Sequence, residues 1–152
     1  MKLATLCYVK QDGKTLMLFR NKKENDTHEG KWNGLGGKLE QGETPEDCVI
    51  REIREESGLE VTEMELKGFI TFPMFDGKDD WFVFLYVITG FNGELIESPE
   101  GELEWIADEK LLKLNLWAGD RIFLPWLENE EIFSARFDYE KGELQDWTVS
   151  FY

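Results

Sequence analysis

Residues 37–59, GKLEQGETPEDCVIREIREESGL, constrain this chain more than any other stretch. Gly37 is followed after five residues by Glu43, and after seven more by Arg51-Glu52-Ile53-Arg54-Glu55-Glu56-Ser57-Gly58-Leu59. Helix signals are dense here. Thr44 suits the N-cap, Pro45 the first helical position, and Asp47 lies three residues after the cap. Glu46 and Asp47 face the positive end of the helix dipole. Gly58 is placed to end the helix in the left-handed conformation. The spacing predicts a strand end, a glycine-bearing loop and a helix whose last turns carry three carboxylates.

Residues three and four apart share a helix face, so Glu52, Glu55 and Glu56 converge on one arc. Val49, Ile50 and Ile53 form an adjoining apolar stripe that can pack on a sheet. Like charges at this spacing cost a few tenths of a kcal/mol per pair, and a hard divalent cation would relieve that cost. A few carboxylates, with water and substrate phosphates completing the shell, describe Mg²⁺ at a phosphate-cleaving site; Mn²⁺ is the alternative. Arg51 can pair with Glu55 one turn on. A solvated acidic helix face would explain the carboxylates alone. It does not explain two glycines, Glu43 and Arg51 at fixed offsets. Seven such matches arise by chance at roughly 10⁻⁸ per start position, which favours a metal-competent site.

At 152 residues the chain is read as one domain, 1–152, and it is long enough to bury a sizeable core. Its net charge of −15 argues against a nucleic-acid polymer or an anionic membrane as partner. A small phosphorylated ligand remains open, provided metal ions and a few Lys or Arg neutralise it. Cys7 and Cys48 fit no metal spacing and read as buried reduced thiols, which points to a cytoplasmic setting. No signal peptide or membrane-length apolar run is expected. A monomer is the default, with a dimer open.

The remaining elements follow from pattern. Residues 3–9 and 15–20 read as a strand pair around the turn Asp12-Gly13. Residues 21–31 read as a loop carrying His28, the only histidine, taken as solvated. The segment Trp32-Asn33-Gly34-Leu35-Gly36-Gly37-Lys38 brings glycines that permit close backbone approach, and Lys38 offers a compact charge for a phosphate. The Gly36 carbonyl can face an ion or phosphate. Residues 61–75 suggest a long, bulged strand, and 81–89 a strand buried on both faces. Residues 103–106 read as a short strand, 108–112 as a brief helix capped by Asp108, and 116–127 as a helix that Pro125 ends or kinks unless it lies in the first turn. Residues 132–139 and 147–152 form a closing hairpin. The order predicts an α/β (α+β) sandwich, with a mixed sheet and helices packed against it.

At every position residues 37–59 match the box of the Nudix hydrolases, G-x5-E-x7-R-E-U-x-E-E-x-G-U with U aliphatic. Through Lys31-Trp32-Asn33-Gly34 and Trp117-Ala118-Gly119-Asp120 the chain further resembles the MutT-type sanitising triphosphatases, especially the animal-type enzymes for oxidised purine nucleotides. The resemblance implies the α/β/α Nudix fold and hydrolysis of a nucleoside triphosphate to monophosphate and pyrophosphate. Carried over, the metal site falls on the Gly36 carbonyl, Glu52, Glu55 and Glu56, with Arg51 in the catalytic box. Glu100 is the choice for an acid beyond the box, with Glu102 and Glu104 competing. The base pocket falls on Asn33, Trp117 and Asp120, with Phe72 as wall, and Lys38 and Lys23 are phosphate candidates. Trp117 offers a stacking face, whereas Asn33 and Asp120 can read base edges. 8-Oxoguanine gains a C8 carbonyl and turns N7 into a donor, a difference such groups can read.

Two departures from the animal-type pattern stand out. Gly119 replaces the first of two adjacent acids, which favours oxidised guanine over oxidised adenine. Thr27 stands where an aromatic is expected. Four alternatives stay open. The same chemistry could act on ADP-ribose, for which Pro73 after the box is a pointer, or on a dinucleoside polyphosphate or unmodified nucleotide. The fold could instead serve as a non-catalytic nucleotide-sensing module. Glu52, Glu55 and Glu56 all remain candidates for the general base.

Overall fold

The computed structural model describes residues 1–22 and 26–152, so the phosphate candidate Lys23 lies outside the described residues. The chain runs β1 (Lys2–Gln11), β2 (Lys14–Arg20), β3 (Trp32–Asn33), α1 (Pro45–Ser57), β4 (Glu60–Phe72), β5 (Trp81–Asn92) and β6 (Gly101–Ala107). A 3₁₀ turn (Asp108–Lys113), α2 (Ala118–Phe123), a second 3₁₀ turn (Leu124–Glu128), β7 (Phe133–Glu140) and β8 (Glu143–Phe151) follow. The strands make one mixed sheet in the order β3-β2-β1-β5-β4-β7-β8, with β6 along β2. β1 runs parallel to β5 and β4 parallel to β7; the hairpin neighbours are antiparallel.

Strand β5 sits at the centre because its apolar run can be buried on both faces. Val83, Leu85 and Val87 meet one core with Phe123, Phe133 and Phe137. Tyr86 and Ile88 meet the other with Val49 and Ile53 of α1. Helix α1 therefore covers one face, and α2 with its following turn covers the other. This is the expected α/β/α sandwich around a mixed sheet. No helix among the described residues is long and apolar enough to cross a membrane.

Helix α1 starts and stops where its local chemistry dictates. The Asp47 N–H donates to Thr44 Oγ1 at 3.0 Å, and the Thr44 N–H donates back to Asp47 Oδ2 at 3.1 Å. Gly58 adopts φ 81° and its N–H returns to the Arg54 carbonyl at 2.9 Å. Three expectations need correction. The third long strand ends at Phe72 rather than Phe75, since Pro73 has no N–H for the ladder. The strand is bulged as expected: the register shifts around Glu63 and again between Leu66 and Gly68, where Lys67 is turned inward to donate to the Asn129 carbonyl at 3.1 Å. Asp108 does not cap the 3₁₀ turn; Ala107 holds that position, and the Asp108 carboxylate instead accepts from Thr15 Oγ1 at 2.7 Å. The single helix expected over 116–127 is instead α2 and a separate 3₁₀ turn, and Pro125 sits in the first turn of the latter, as its missing N–H allows.

Pairing along β1 is divided. Its last residues, Val9 to Gln11, pair with β2, whereas β2 pairs with β6 over its whole length. The first half of β1 thus has an edge available to residues 35–39. That division opens the cleft described next.

Candidate active site

The segment 35–39 lies along the open edge of β1. Cys7 N–H donates to the Leu35 carbonyl at 2.7 Å, Thr5 N–H to Gly37 at 2.9 Å, and Leu39 N–H to Leu3 at 3.0 Å. Gly36 departs from this ladder at φ 126°, and a Cβ there would fall 2.2 Å from the Thr5 carbonyl oxygen. Only glycine fits. The turn aims the Gly36 N–H at Glu56 Oε2, 2.9 Å away. At Gly37 a Cβ would lie 2.6 Å from the carboxyl carbon of Glu52. The two glycines therefore let the loop backbone approach the acidic face of α1. Gly37→Ala is expected to push the Glu52 carboxylate aside and lower kcat on the order of 10²-fold, with the circular dichroism spectrum unchanged.

Arg51 holds that face in order. It binds Glu43 in a fork, with Nε to Oε2 at 2.7 Å and Nη2 to Oε1 at 2.8 Å. The same guanidinium donates to Glu52 Oε1 at 2.8 Å, to Glu55 Oε2 at 3.4 Å and to the Lys38 carbonyl at 3.0 Å. Pairing with Glu55 thus exists, but Glu43 is the better-bonded partner. The Arg51 hydrogen bonds hold the Glu43 carboxyl down at about 2. Arg51 stands behind the acids and does not line the cavity.

The acids differ in environment. Glu56 is 4% exposed, and burial pushes its carboxyl up to about 8; the Gly36 N–H opposes this, while Glu52 and Glu100 add to it. Burial also raises Glu52, against the Arg51 hydrogen bond and with help from Glu55 and Glu100. Glu55 is mostly exposed, bonds Arg51 and lies outside the cavity lining. Glu100 precedes β6 and lines the cavity with Glu52 and Glu56, and Arg20 Nη2 approaches it to 3.3 Å. Glu102 and Glu104 are exposed on β6 and take no part in the lining.

The cavity has a volume of about 440 Å³ and two unlike ends. Glu52, Glu56, Glu100 and the Gly36-Gly37 backbone form one end. Trp117 and Phe72 gather around Tyr139 at the other, where the Tyr139 hydroxyl bonds Gly119 next to Asp120; Asn33 lines the cavity as well. Lys38 lines it near Trp81, its Nζ 5.7 Å from the ring centroid. Asp120 is buried, and desolvation raises its carboxyl to about 7 against Lys31 and Arg121. Among the described residues no group hydrogen-bonds to that carboxyl. The Asn33 amide makes only a long contact to the Lys31 carbonyl, 3.4 Å. Both groups are left to face a ligand.

Several lining residues had no signal in the sequence. Phe75 and Tyr139 meet the Trp117 ring edge-on at 5.2 and 5.5 Å. His28, read as solvated, lines the cavity and accepts the Trp117 indole N–H at 2.7 Å. Arg20 and Asp26 join the lining through their own ion pair at 2.8 Å. Gly119 has a steric reason. A Cβ there would lie 2.7 Å from the Tyr139 hydroxyl, which accepts the Gly119 N–H at 2.6 Å.

Among the described residues no three His, Cys, Asp or Glu side chains are gathered into a ready cation cage. Glu52 is drawn to Arg51 and Glu56 to the Gly36 N–H. The donor set is nonetheless all oxygen, and the buried Glu56 and half-buried Glu52, whose charges disfavour each other, fit a hard divalent ion beside Glu100.

A mixed-sheet sandwich with a glycine loop laid on an acid-faced helix is the arrangement of a Nudix domain, and residues 1–127 match the NUDIX domain family. The chain belongs to the Nudix hydrolase family, whose members generally use a divalent metal. It is 33% identical over 139 residues to the oxidized purine nucleoside triphosphate hydrolase of Danio rerio, covering 91% of this chain and 87% of that protein. It is 32% identical over 144 residues to the uncharacterized Nudix hydrolase YvcI of Bacillus subtilis, at the same 91% and 87% coverage. The crystal structure of a mutator MutT protein from Bacillus halodurans superposes with a TM-score of 0.87 at 32% identity, over 98% of this chain and 97% of that one.

Proposed function

We propose that this protein hydrolyses oxidised purine nucleoside triphosphates, converting 8-oxo-dGTP to 8-oxo-dGMP and pyrophosphate. The observation that carries this reading is the single cavity with carboxylates at one end, Trp117 and Asp120 at the other and Asn33 in its lining. In the proposed pose the triphosphate tail would lie at the first end and the purine at the second. The relatives named for oxidised purine nucleotides support the same choice.

Glu52, Glu55, Glu56, Glu100 and the Gly36 carbonyl would hold Mg²⁺, or Mn²⁺ in its place. The bound ion would neutralise phosphate charge and lower the pKa of the attacking water. The chain supplies the rest. Lys38 at the cavity edge meets phosphate oxygens, a role Lys23 is proposed to share. One of Glu52, Glu55 or Glu56 takes the proton from the water as it attacks an internal phosphorus. Arg51 fixes the Glu52 carboxylate by a charge-assisted bond. At the other end Asn33 and Asp120 read the base edge, and Phe72 closes the wall. The biological role is sanitation of the nucleotide pool, and hence DNA protection, in the cytoplasm, by a monomer acting on a small nucleotide.

The test is kcat/KM with Mg²⁺ for 8-oxo-dGTP, dGTP and ADP-ribose side by side, with products identified. The expected result is a preference for 8-oxo-dGTP over dGTP of about 10²-fold or more, with pyrophosphate released. A preference for ADP-ribose would overturn the base-pocket assignment and leave the carboxylate end standing.

A further inference from the structure

We infer that His28 is a positioning residue of the base pocket, holding the Trp117 indole by its N–H so that only the ring, and not its donor, is offered to a nucleotide. This deepens the proposed function and rests on it. The Trp117 Nε1–His28 Nδ1 distance is 2.7 Å, and the two rings stand at 83° with centroids 5.5 Å apart. An indole N–H can only donate. Trp117 is 8% exposed, so without His28 its donor would be stranded in the wall or turned toward the ligand. With the donor occupied, polar reading of the base falls to Asn33 and Asp120.

His28 is itself braced. Its ring stacks on Phe75 with an interplanar angle of 19° and centroids 6.3 Å apart. Phe75 in turn meets Trp117. The His28 backbone N–H donates to Asp26 Oδ1 at 3.2 Å, and Asp26 Oδ2 takes the Arg20 Nε–H at 2.8 Å. Arg20 also reaches Glu100 at 3.3 Å. The turn bearing His28 is thus tied through Asp26 and Arg20 to the carboxylate end of the cavity. An acceptor at Nδ1 requires the neutral ring with its proton on Nε2. The surroundings favour that form: burial first, then Arg20 and Lys31, lower the His28 pKa below its ordinary value, with Asp26 opposing.

Two His28 variants separate a bond from mere bulk. Asn at this position presents Oδ1 close to where Nδ1 stands, whereas Ala presents nothing. Two readouts are needed. The first is the Trp117 indole N–H resonance in ¹H–¹⁵N spectra of the protein without nucleotide. His28→Ala should shift it upfield and His28→Asn should restore most of the shift. The second is the dissociation constant for 8-oxo-dGMP, with KM and kcat for 8-oxo-dGTP. His28→Ala should weaken binding and raise KM about tenfold with kcat changed less than about twofold, and His28→Asn should recover most of the affinity.

Turnover by the wild type tests the proposed function separately. If the wild type hydrolyses 8-oxo-dGTP but both variants bind 8-oxo-dGMP as it does, the role of His28 is overturned and the function stands. If the wild type binds 8-oxo-dGMP without hydrolysing the triphosphate, and the Ala and Asn variants split as described, the role of His28 is supported and the function falls. An indole resonance indifferent to His28→Ala, or a wild type that does not bind 8-oxo-dGMP, overturns the inference.

Discussion

Glu56→Gln is expected to lower kcat on the order of 10²–10⁴-fold while leaving a folded protein that is more stable in the absence of metal at neutral pH. Gln keeps the shape of Glu and an oxygen for the Gly36 N–H, which now holds Glu56 Oε2 at 2.9 Å. What it removes is the ability to ionise at the buried end of the acidic face, and with it the charge a divalent ion would need there. The stability prediction follows from the same burial. A carboxyl raised from its ordinary 4.5 to about 8 binds its proton more tightly in the folded state. Its stabilising contribution is complete below the unfolded value and declines as pH rises toward about 8. Gln has no such dependence. Urea denaturation in chelator should therefore favour the variant increasingly between about pH 5 and about pH 9, by on the order of a few kcal/mol. Loss of turnover with gain of stability is the pattern of a site held in a strained state for function. Turnover near the wild-type level at saturating Mg²⁺ would remove Glu56 from the metal site.

Features set by neighbours in sequence were legible, and features set by tertiary register were not. Helix α1 was readable because its signals are local: Thr44 and Asp47 bond each other's backbone, Pro45 opens the helix and Gly58 ends it. Strand β5 was readable because a continuous apolar run needs burial on both faces, and it received both. The carboxylate arc was readable from helical spacing, yet the same spacing hid a difference. Glu56 points inward under the Gly36 loop, whereas Glu55 is mostly exposed. The choice among Glu100, Glu102 and Glu104 depended on the β2–β6 ladder. Arg20 pairs with Gly101, so Glu100 lies just past its end and beside Arg20, while Glu102 and Glu104 stay on the ladder facing solvent. Arg51 found Glu43 across a turn, at a separation no helix rule covers. His28, Phe75 and Tyr139 come from three separate segments and meet only around Trp117. A lone histidine in a polar loop carries no periodicity that could have announced this. Asp108 shows the converse error: an acid before a short helix has the pattern of a cap, but Thr15 and Lys10 on neighbouring strands claimed its carboxylate.

Asp120→Ala is expected to reduce the preference for 8-oxo-dGTP over dGTP by about 10- to 100-fold while hydrolysis of both persists. The Asp120 carboxyl lies in the aromatic end of the cavity, away from the box carboxylates, so the phosphate chemistry should survive its loss. It is buried, yet among the described residues nothing hydrogen-bonds to it. A buried polar group in that condition is satisfied by a ligand with the matching edge and strands one without it. Its titration adds a second reading. Desolvation raises the carboxyl from 3.8 to about 7, only partly opposed by Lys31 and Arg121. Protonated it donates to a base edge, and ionised it accepts. The ratio of kcat/KM for the two nucleotides should therefore change across about pH 7 in the wild type and be flat there in Asp120→Asn, which cannot switch. Stability should carry the same signature. The folded carboxyl holds its proton better than the unfolded one, so wild-type stability falls as pH rises from about 4 to about 7. In Asp120→Asn that part of the slope disappears, which thermal melts across the same window would record. A preference ratio untouched by Asp120→Ala would move base reading to Asn33 alone. A change in the ratio without the change in pH dependence would leave Asp120 in the pocket but fixed in one protonation state.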